Sequence, residues 1–370
     1  MSSKNPQTSP EPIRLVDCGS VPALRSQTVF HAVAYAQTPE TPDTILLVEP
    51  SEPYVSIGFH QDAEREVDLE RCRELGLPVL RREIGGGAVY LDGNQLFCQW
   101  IFHQGRLPAT LENRFALYVR PLVDAYRAFG IEAELRPIND VHVRGRKIGG
   151  TGAALIGEAD VVVGSLMFDF DMETMARVLR VPSEKFRDKV YQSLQEYMTT
   201  MKRELGEAPP REQVVEAYVK ACSEALERPV EPGPLTSEEE AMARELDARF
   251  SSDEWLHAVG GLRRHGVKIH EDVMVMESVY KAPGGIIRVV AQLRGDHIRE
   301  VAITGDFNLQ PPSALPAIED ALRGAPADRD VVQQRVQVLY EQLRPQSPGV
   351  APADWTEAVM NLFEPSGQAG

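Results

Sequence analysis

Apolar positions along this chain fall into two kinds of run. "TILLVEP" (44–50), "YVSIG" (54–58) and "LPVLRR" (77–82) are short apolar stretches bounded by Pro, Gly or Asp, which reads as buried strands. "IRLVDC" (13–18) reads as another. Leu24, Val29, Phe30 and Val33 recur at helical spacing instead, behind a helix entry at Ser20-Val21-Pro22. "DLERCRELG" predicts a short helix ending at a glycine, and "AVYLD" with "LFCQWIF" predicts a hairpin around Asp92-Gly93. A helix is expected over about 111–129, strands in "IEAEL", "DVHVRG" and "DVVVGSLMFDF", and mostly helices from 171 to 228. Strands come in runs broken by single helices, without a regular βαβ alternation. The predicted class is therefore α+β with a mixed sheet.

The Pro/Gly/acid stretch "ERPVEPGPLTSEEEAMARE" (227–245) marks the main boundary, and Thr236 or Ser237 caps the helix that follows. Beyond it, 266–306 is strand-rich and two helices follow. The expected organisation is a disordered leader (1–12), a larger unit (13–232), a small α+β unit (236–345) and a Pro/Gly/Ala-rich tail (346–370) with one short helix around "ADWTEAVMNLF".

The net charge of -16 over 370 residues argues against a general nucleic-acid binder. An anionic ligand must be held by a local cluster of cations. Cys18, Cys72, Cys98 and Cys222 are scattered without a CxxC pair, which fits a reducing cytoplasm better than a disulfide framework or a zinc site. No signal-peptide core and no apolar run of about 18 residues occurs, so a cytoplasmic protein without membrane contact is expected. His265 and His270 lie five apart on an expected strand, hence on opposite faces, which disfavours a metal pair. Cys98, Met167, Met198 and Met201 read as packing residues.

Two segments carry the candidate chemistry. "RREIGGGAVYLDGN" (81–94) places Arg81-Arg82 before Gly85-Gly86-Gly87. No GK[ST] follows, as a Walker loop requires, and no helix opens after it, as a dinucleotide fingerprint requires. By itself the run is equally a tight turn. In a strand the two arginines face opposite ways, so one can lie beside the bare backbone and form an anion site. "NDVHVRGRKIGGTG" (139–152) sets Arg144, Arg146 and Lys147 against Gly149, Gly150 and Gly152, which is either a solvated hairpin or a second wall of the same cleft.

These segments resemble the lipoate–protein ligases of the biotin and lipoate ligase superfamily. The family pattern RRxSGGGAVYHDxGN is similar to "RREIGGGAVYLDGN", and ND…GRKxSGSA is similar to "NDVHVRGRKIGGTG". "YVSIGFHQD", with Gly58 and Gln61, "VPSEKFRDKVYQSLQEYMTTM" and the region 238–325 match further family segments in the right order, over about 13 to 343. The resemblance implies a mixed-sheet catalytic domain (13–232) and a small α+β accessory domain (236–345). It implies that lipoate attacks the α-phosphate of ATP, with Mg2+, and that a lysine of a lipoyl-accepting carrier protein or domain then displaces AMP. Carried over by motif, Arg82, Gly85, Gly86, Gly87, Ala88, Val89, Tyr90, Gly150 and Thr151 bind ATP or lipoyl-adenylate. Lys147 is the catalytic cation bridging carboxylate and phosphate. Asp140 lies near the metal or nucleotide, and Asn139 shapes the turn.

The chain departs from the family pattern at Ile84 (usually Ser or Thr), Leu91 (usually His), Gly149 and Thr151-Gly152 (usually Ser-Gly-Ser-Ala), and in the first helix, where "FHAVAYAQ" lacks the acidic residue of "LNMAxDE"-like versions. Three other readings remain: an octanoyl or lipoyl transferase, a biotin ligase, and a noncatalytic lipoyl-domain binding protein. The transferases closest to this layout use a cysteine a little upstream of the catalytic lysine, and 103–146 contains none, leaving only a cysteine-independent version. Biotin ligases usually carry a GRGRxGR-type loop, absent here. The intact Arg82 and Lys147 argue against a noncatalytic binder.

Overall fold

The computed structural model describes residues 11–259 and 273–363; the expected leader up to residue 10, His265, His270 and the last seven residues lie outside the described residues. The strands in chain order are β1 (Ile13–Val21), β2 (Thr44–Pro50), β3 (Tyr54–Ile57), β4 (Val79–Arg81), β5 (Val89–Leu91), β6 (Gln95–His103), β7 (Ala133–Arg136), β8 (Asp140–Val143), β9 (Arg146–Ile156), β10 (Ala159–Met167) and β11 (Val230–Pro232). β12 (Val273–Ala282), β13 (Gly285–Arg294) and β14 (His297–Gly305) follow.

An eight-stranded sheet has the order β11-β1-β2-β6-β10-β9-β8-β7. Its β11–β1 and β1–β2 pairs are parallel and the others antiparallel, the mixed sheet of an α+β protein. On one face the helix Leu111–Ala128 turns Leu111, Phe115, Tyr118, Leu122 and Tyr126 into the core at helical spacing, joined by Val214, Tyr218 and Cys222 of the helix Arg211–Leu226. Thr110 caps the first of these helices by accepting from the Asn113 N–H at 3.3 Å. Cys98, Met167, Met198 and Met201 are buried, as their packing role requires.

Two local expectations differ. β5 does not pair with β6: it joins β3 in a small sheet of order β4-β3-β5, while β6 lies between β2 and β10. The Asp92–Asn94 turn forms, with Asp92 Oδ1 accepting from the Asn94 N–H at 2.9 Å, but it links two sheets. β6 is buried on both faces through Phe102, so it takes a central place with neighbours on each edge. At the first helix, β1 continues through Val21, and Glu52, not Ser20, accepts from the Ala23 N–H at 2.7 Å.

Beyond residue 273, β12, β13 and β14 form an antiparallel sheet whose inward Ile287, Val289, Ala291 and Leu293 build a separate core with three helices. Two boundaries of the packing differ from the expected ones. The helix Ser237–Phe250 has the anticipated cap at Thr236, completed by Glu239 into a capping box. Its Ala243, Leu246 and Phe250, however, pack with Ala32 of the helix Ala23–Tyr35, and Glu239 pairs with Arg14. The expected tail likewise contributes the helix Pro352–Met360, because the fully buried Trp355 fills the C-terminal core.

Candidate functional site

The glycine loop is held by both arginines, which leave the strand end in different directions. Arg81 is fully buried and donates to the carbonyls of Phe59 (2.8 Å), Gln61 (2.7 Å) and Leu256 (2.7 Å). Trp255 returns an indole N–H to the Arg81 carbonyl at 2.9 Å. Arg82 turns to the loop and donates to Gly85 O (2.9 Å), Gly87 O (2.8 Å) and Ser56 O (3.2 Å). Burial pushes its guanidinium down to about 10, still protonated at neutral pH. Gly86 adopts φ +91°, and a Cβ at Gly58 would lie 1.9 Å from Gly86 O, so glycine is required at both places. Ala88 and Val89 are half-buried after the loop, and the Tyr90 ring packs beneath it against Phe170 at 6.2 Å.

The buried His31 adds a support that sequence reading missed. Its Nδ1 lies 2.7 Å from Gln27 O and its Nε2 accepts from the Glu83 N–H at 3.2 Å, fixing the neutral Nδ1–H tautomer. Burial holds this imidazole down at about 3. No periodicity links residue 31 to residue 83, which is why the contact was invisible in the chain.

The second segment forms β8, the turn at 144–145 and β9. In regular register Val141 faces Gly149, so His142 would face Ile148; instead His142 pairs with Lys147, leaving Ile148 as an extra residue that points to the core. This β-bulge re-aims Lys147 onto the face shared by Asp140, His142 and Gly150. Lys147 Nζ sits 2.8 Å from Asp140 Oδ1. A Cβ at Gly150 would lie 2.9 Å from that ammonium, so the bare backbone gives the lysine its path. Thr199 N–H donates to Lys147 O at 2.8 Å and anchors the strand from behind. Asn139 and Thr151 lock together: Thr151 N–H and hydroxyl both donate to Asn139 O, at 3.0 and 2.8 Å, and Asn139 Nδ2 donates to Thr151 O. Arg144 pairs with Glu204.

The two glycine segments converge. A Cβ at Gly152 would lie 2.8 Å from Ile84 Cγ2 and 3.9 Å from Gly85 O. Two departures from the family pattern are thus one steric unit, the larger Ile84 filling the space left by the smaller Gly152. The C-terminal unit covers the loop: Gly86 N–H points to Phe307 O at 3.4 Å, Gly305 N–H donates to His60 O at 2.9 Å, and the His60 ring stacks on Phe307 at 4.9 Å. Between the units lies a cavity of about 310 Å3 lined by Asn139, Asp140 and Tyr197 on one side and Gly284, Asn308 and Pro348 on the other.

His142 is the other residue missed in the sequence, where "DVHV" reads as an ordinary strand. It is 1% exposed, and neither ring nitrogen has a hydrogen-bond partner among the described residues. Leaving such a group unpaired costs about 1–3 kcal/mol. Its Nε2 is 3.8 Å from Asp140 Oδ2, beyond hydrogen-bond reach. Period-two alternation, which puts 140 and 142 on one face, was the available signal.

Among the described residues no cluster of three metal-ligating side chains occurs, and the Asp140 carboxylate is engaged by Lys147. The thiols are not poised for nucleophilic chemistry. Burial pushes Cys18 and Cys72 up to about 11 and Cys222 up to about 12, and holds Cys98 well above the ordinary value.

The family model for the lipoyl protein ligase A/B catalytic domain matches residues 26–223. The chain is 30% identical over 268 residues to the octanoyltransferase LipM of Kyrpidia tusciae, covering 65% of this chain and 97% of that protein. It is 27% identical to the bipartite lipoate protein ligase of Thermoplasma acidophilum, with a TM-score of 0.62 over 69% of this chain and 99% of that one. The fold of P. falciparum LipL1, solved with lipoate, covers 95% of this chain and 99% of that one at a TM-score of 0.68 and 13% identity. With the two glycine segments meeting at Ile84 and Gly152, the chain belongs to the lipoyl protein ligase A/B catalytic-domain family of lipoate ligases and octanoyltransferases.

Proposed function

We propose that the protein is an ATP-dependent lipoate–protein ligase of the cytoplasm. Lipoate attacks the α-phosphate of Mg2+-bound ATP, releasing pyrophosphate and forming lipoyl-adenylate. The amine of an acceptor lysine on a lipoyl domain then attacks the acyl carbon, loses a proton and expels AMP. The carrying observation is the re-aimed Lys147 beside Gly150, held by a carboxylate it can exchange for substrate. Adenylation joins two anions, and a fixed cation there acts on charge that grows in the transition state. Arg82 keeps the loop in shape, and the Gly85, Gly86 and Gly87 backbone with Ala88, Val89 and Tyr90 forms the nucleotide cradle. Gly150, Thr151 and Asn139 shape the opposite wall. Magnesium would arrive with the nucleotide and screen its phosphate charge, and Asp140 would be the carboxylate to hold it.

A second reading, an octanoyltransferase, is favoured by the likeness to LipM over nearly that protein's whole length. It meets a physical obstacle in the four cysteines, whose thiols are all raised by burial. An apo lipoyl domain is incubated with the protein and either lipoate, ATP and Mg2+ or an octanoyl-carrier thioester, and then weighed by mass spectrometry. The ligase reading expects a lipoyl adduct only with ATP. An octanoyl adduct from the thioester without ATP establishes the transferase.

A further inference from the structure

His142 has no place in the reaction as described, yet it is buried beside the Lys147–Asp140 pair with neither ring nitrogen hydrogen-bonded among the described residues. Buried polar groups are nearly always paired, so an orphan next to a reactive centre calls for a second state in which it is satisfied. The strand geometry supplies one. Asp140 and His142 alternate onto the same face of β8, and the bulge brings Lys147 across from His142 on β9. Asp140 Oδ1 is 2.8 Å from the ammonium while Oδ2 is 3.8 Å from the imidazole Nε2, one ångström short of a hydrogen bond. Tyr197 lies edge-on to the ring at 5.7 Å and limits its freedom. Glu134, opposite on β7, is exposed, and among the described residues Asp140 is the carboxylate within 4.0 Å of the ring nitrogens.

We propose that His142 is a positioning residue for Lys147, the alternate partner of Asp140. When Lys147 moves to the carboxylate and phosphate of the substrates, Asp140 Oδ1 loses the ammonium, and an N–H of His142 closes onto Oδ2. An imidazole carries an N–H in every protonation state, so this handover needs no proton transfer. It lowers the barrier to releasing the lysine without placing His142 on the substrate. The inference rests on the ligase reading of Lys147.

The test is a set of variants assayed for lipoyl-adenylate formation: Lys147→Ala, His142→Phe, His142→Asn, Asp140→Asn and His142→Phe/Asp140→Asn. His142→Phe keeps a ring but removes the N–H, and is expected to lower kcat about tenfold with KM for lipoate little changed. His142→Asn restores a donor and should recover to within about threefold of wild type. On the Asp140→Asn background His142→Phe should have a much smaller effect, because the carboxylate charge that the imidazole N–H compensates is gone and only a neutral amide oxygen remains. Wild-type kcat in His142→Phe, or effects of His142→Phe and Asp140→Asn that multiply, overturns the handover even if Lys147→Ala is inactive. Wild-type turnover by Lys147→Ala instead overturns the underlying reading of the lysine. If His142→Phe does not fold, the wild-type enzyme still decides. The 15N ring signal of His142, assigned by its absence in His142→Asn, should shift on binding a nonhydrolysable lipoyl-adenylate analogue. An unmoved signal contradicts the proposal.

Discussion

The two glycine-rich segments look alike in the chain, each with cations beside bare backbone, yet they do different work. In the 81–87 loop the cations are spent on structure: Arg82 donates to Gly85 O and Gly87 O, and Arg81 to carbonyls at 59, 61 and 256. In the 146–152 segment Lys147 contacts a single half-exposed carboxylate and lies over a glycine. A cation bonded to several backbone carbonyls, three for Arg82 and five for Arg81, is a staple, whereas one bonded to a removable carboxylate is available to a ligand. Composition does not separate the two. What does is the count of backbone acceptors each cation meets.

The sharpest way to break this contrast is to exchange the two cations' fates. Lys147→Ala should lower lipoyl-adenylate formation by on the order of a hundredfold or more while leaving the thermal midpoint nearly unchanged. Arg82→Met should instead lose stability by about 1–3 kcal/mol, since it orphans loop carbonyls, with activity falling because the cradle loosens. Urea titration and single-turnover assays on the same preparations separate the outcomes. An unstable Lys147→Ala or a fully stable Arg82→Met undoes the distinction.

Glycine substitutions sharpen it further. Gly58→Ala puts a methyl 1.9 Å from Gly86 O, a backbone atom, and should destabilise by about 1–3 kcal/mol. Gly150→Ala meets only the flexible tip of Lys147 at 2.9 Å, so the fold should hold while adenylate formation drops about tenfold. Equal urea midpoints for the two variants would contradict the division of labour.

A smaller effect follows from His31. Its ordinary value near 6.5 is held down to about 3 by burial, and its Nε2 must stay unprotonated to accept from Glu83. Between those values the unfolded chain binds a proton that the native chain does not. Native stability is therefore fully present above about pH 6.5 and falls as the pH drops toward 3. His60, held down to about 4 by burial at the Phe307 contact, acts in the same direction. His31→Gln should flatten the dependence of the urea midpoint between pH 7 and 5; an unchanged slope assigns it to other groups.

Much of this was legible in the chain because short apolar runs and helical spacings report burial directly. The mixed sheet, the helix at 111–128 and the cap at Thr236 follow from local pattern, whereas the pattern left open whether the two glycine segments meet. The rest depended on partners far away in sequence. Nothing in "AVYLD" says that it pairs with β3, and nothing in the helix 237–250 says that its apolar side meets residue 32. The bulge that aims Lys147 lies deeper still, since alternation alone would place Ile148, not Lys147, opposite His142.

Single-turnover formation of lipoyl-adenylate from lipoate and α-labelled ATP by a protein with all four cysteines replaced by Ala tests the central claim most directly. Because every thiol is raised by burial, the account predicts adenylate within about threefold of the wild-type rate, on the order of the packing effects of removing small core side chains. Loss of all activity in a protein that still folds, with an acyl-thioester formed by the wild type in the absence of ATP, would contradict it.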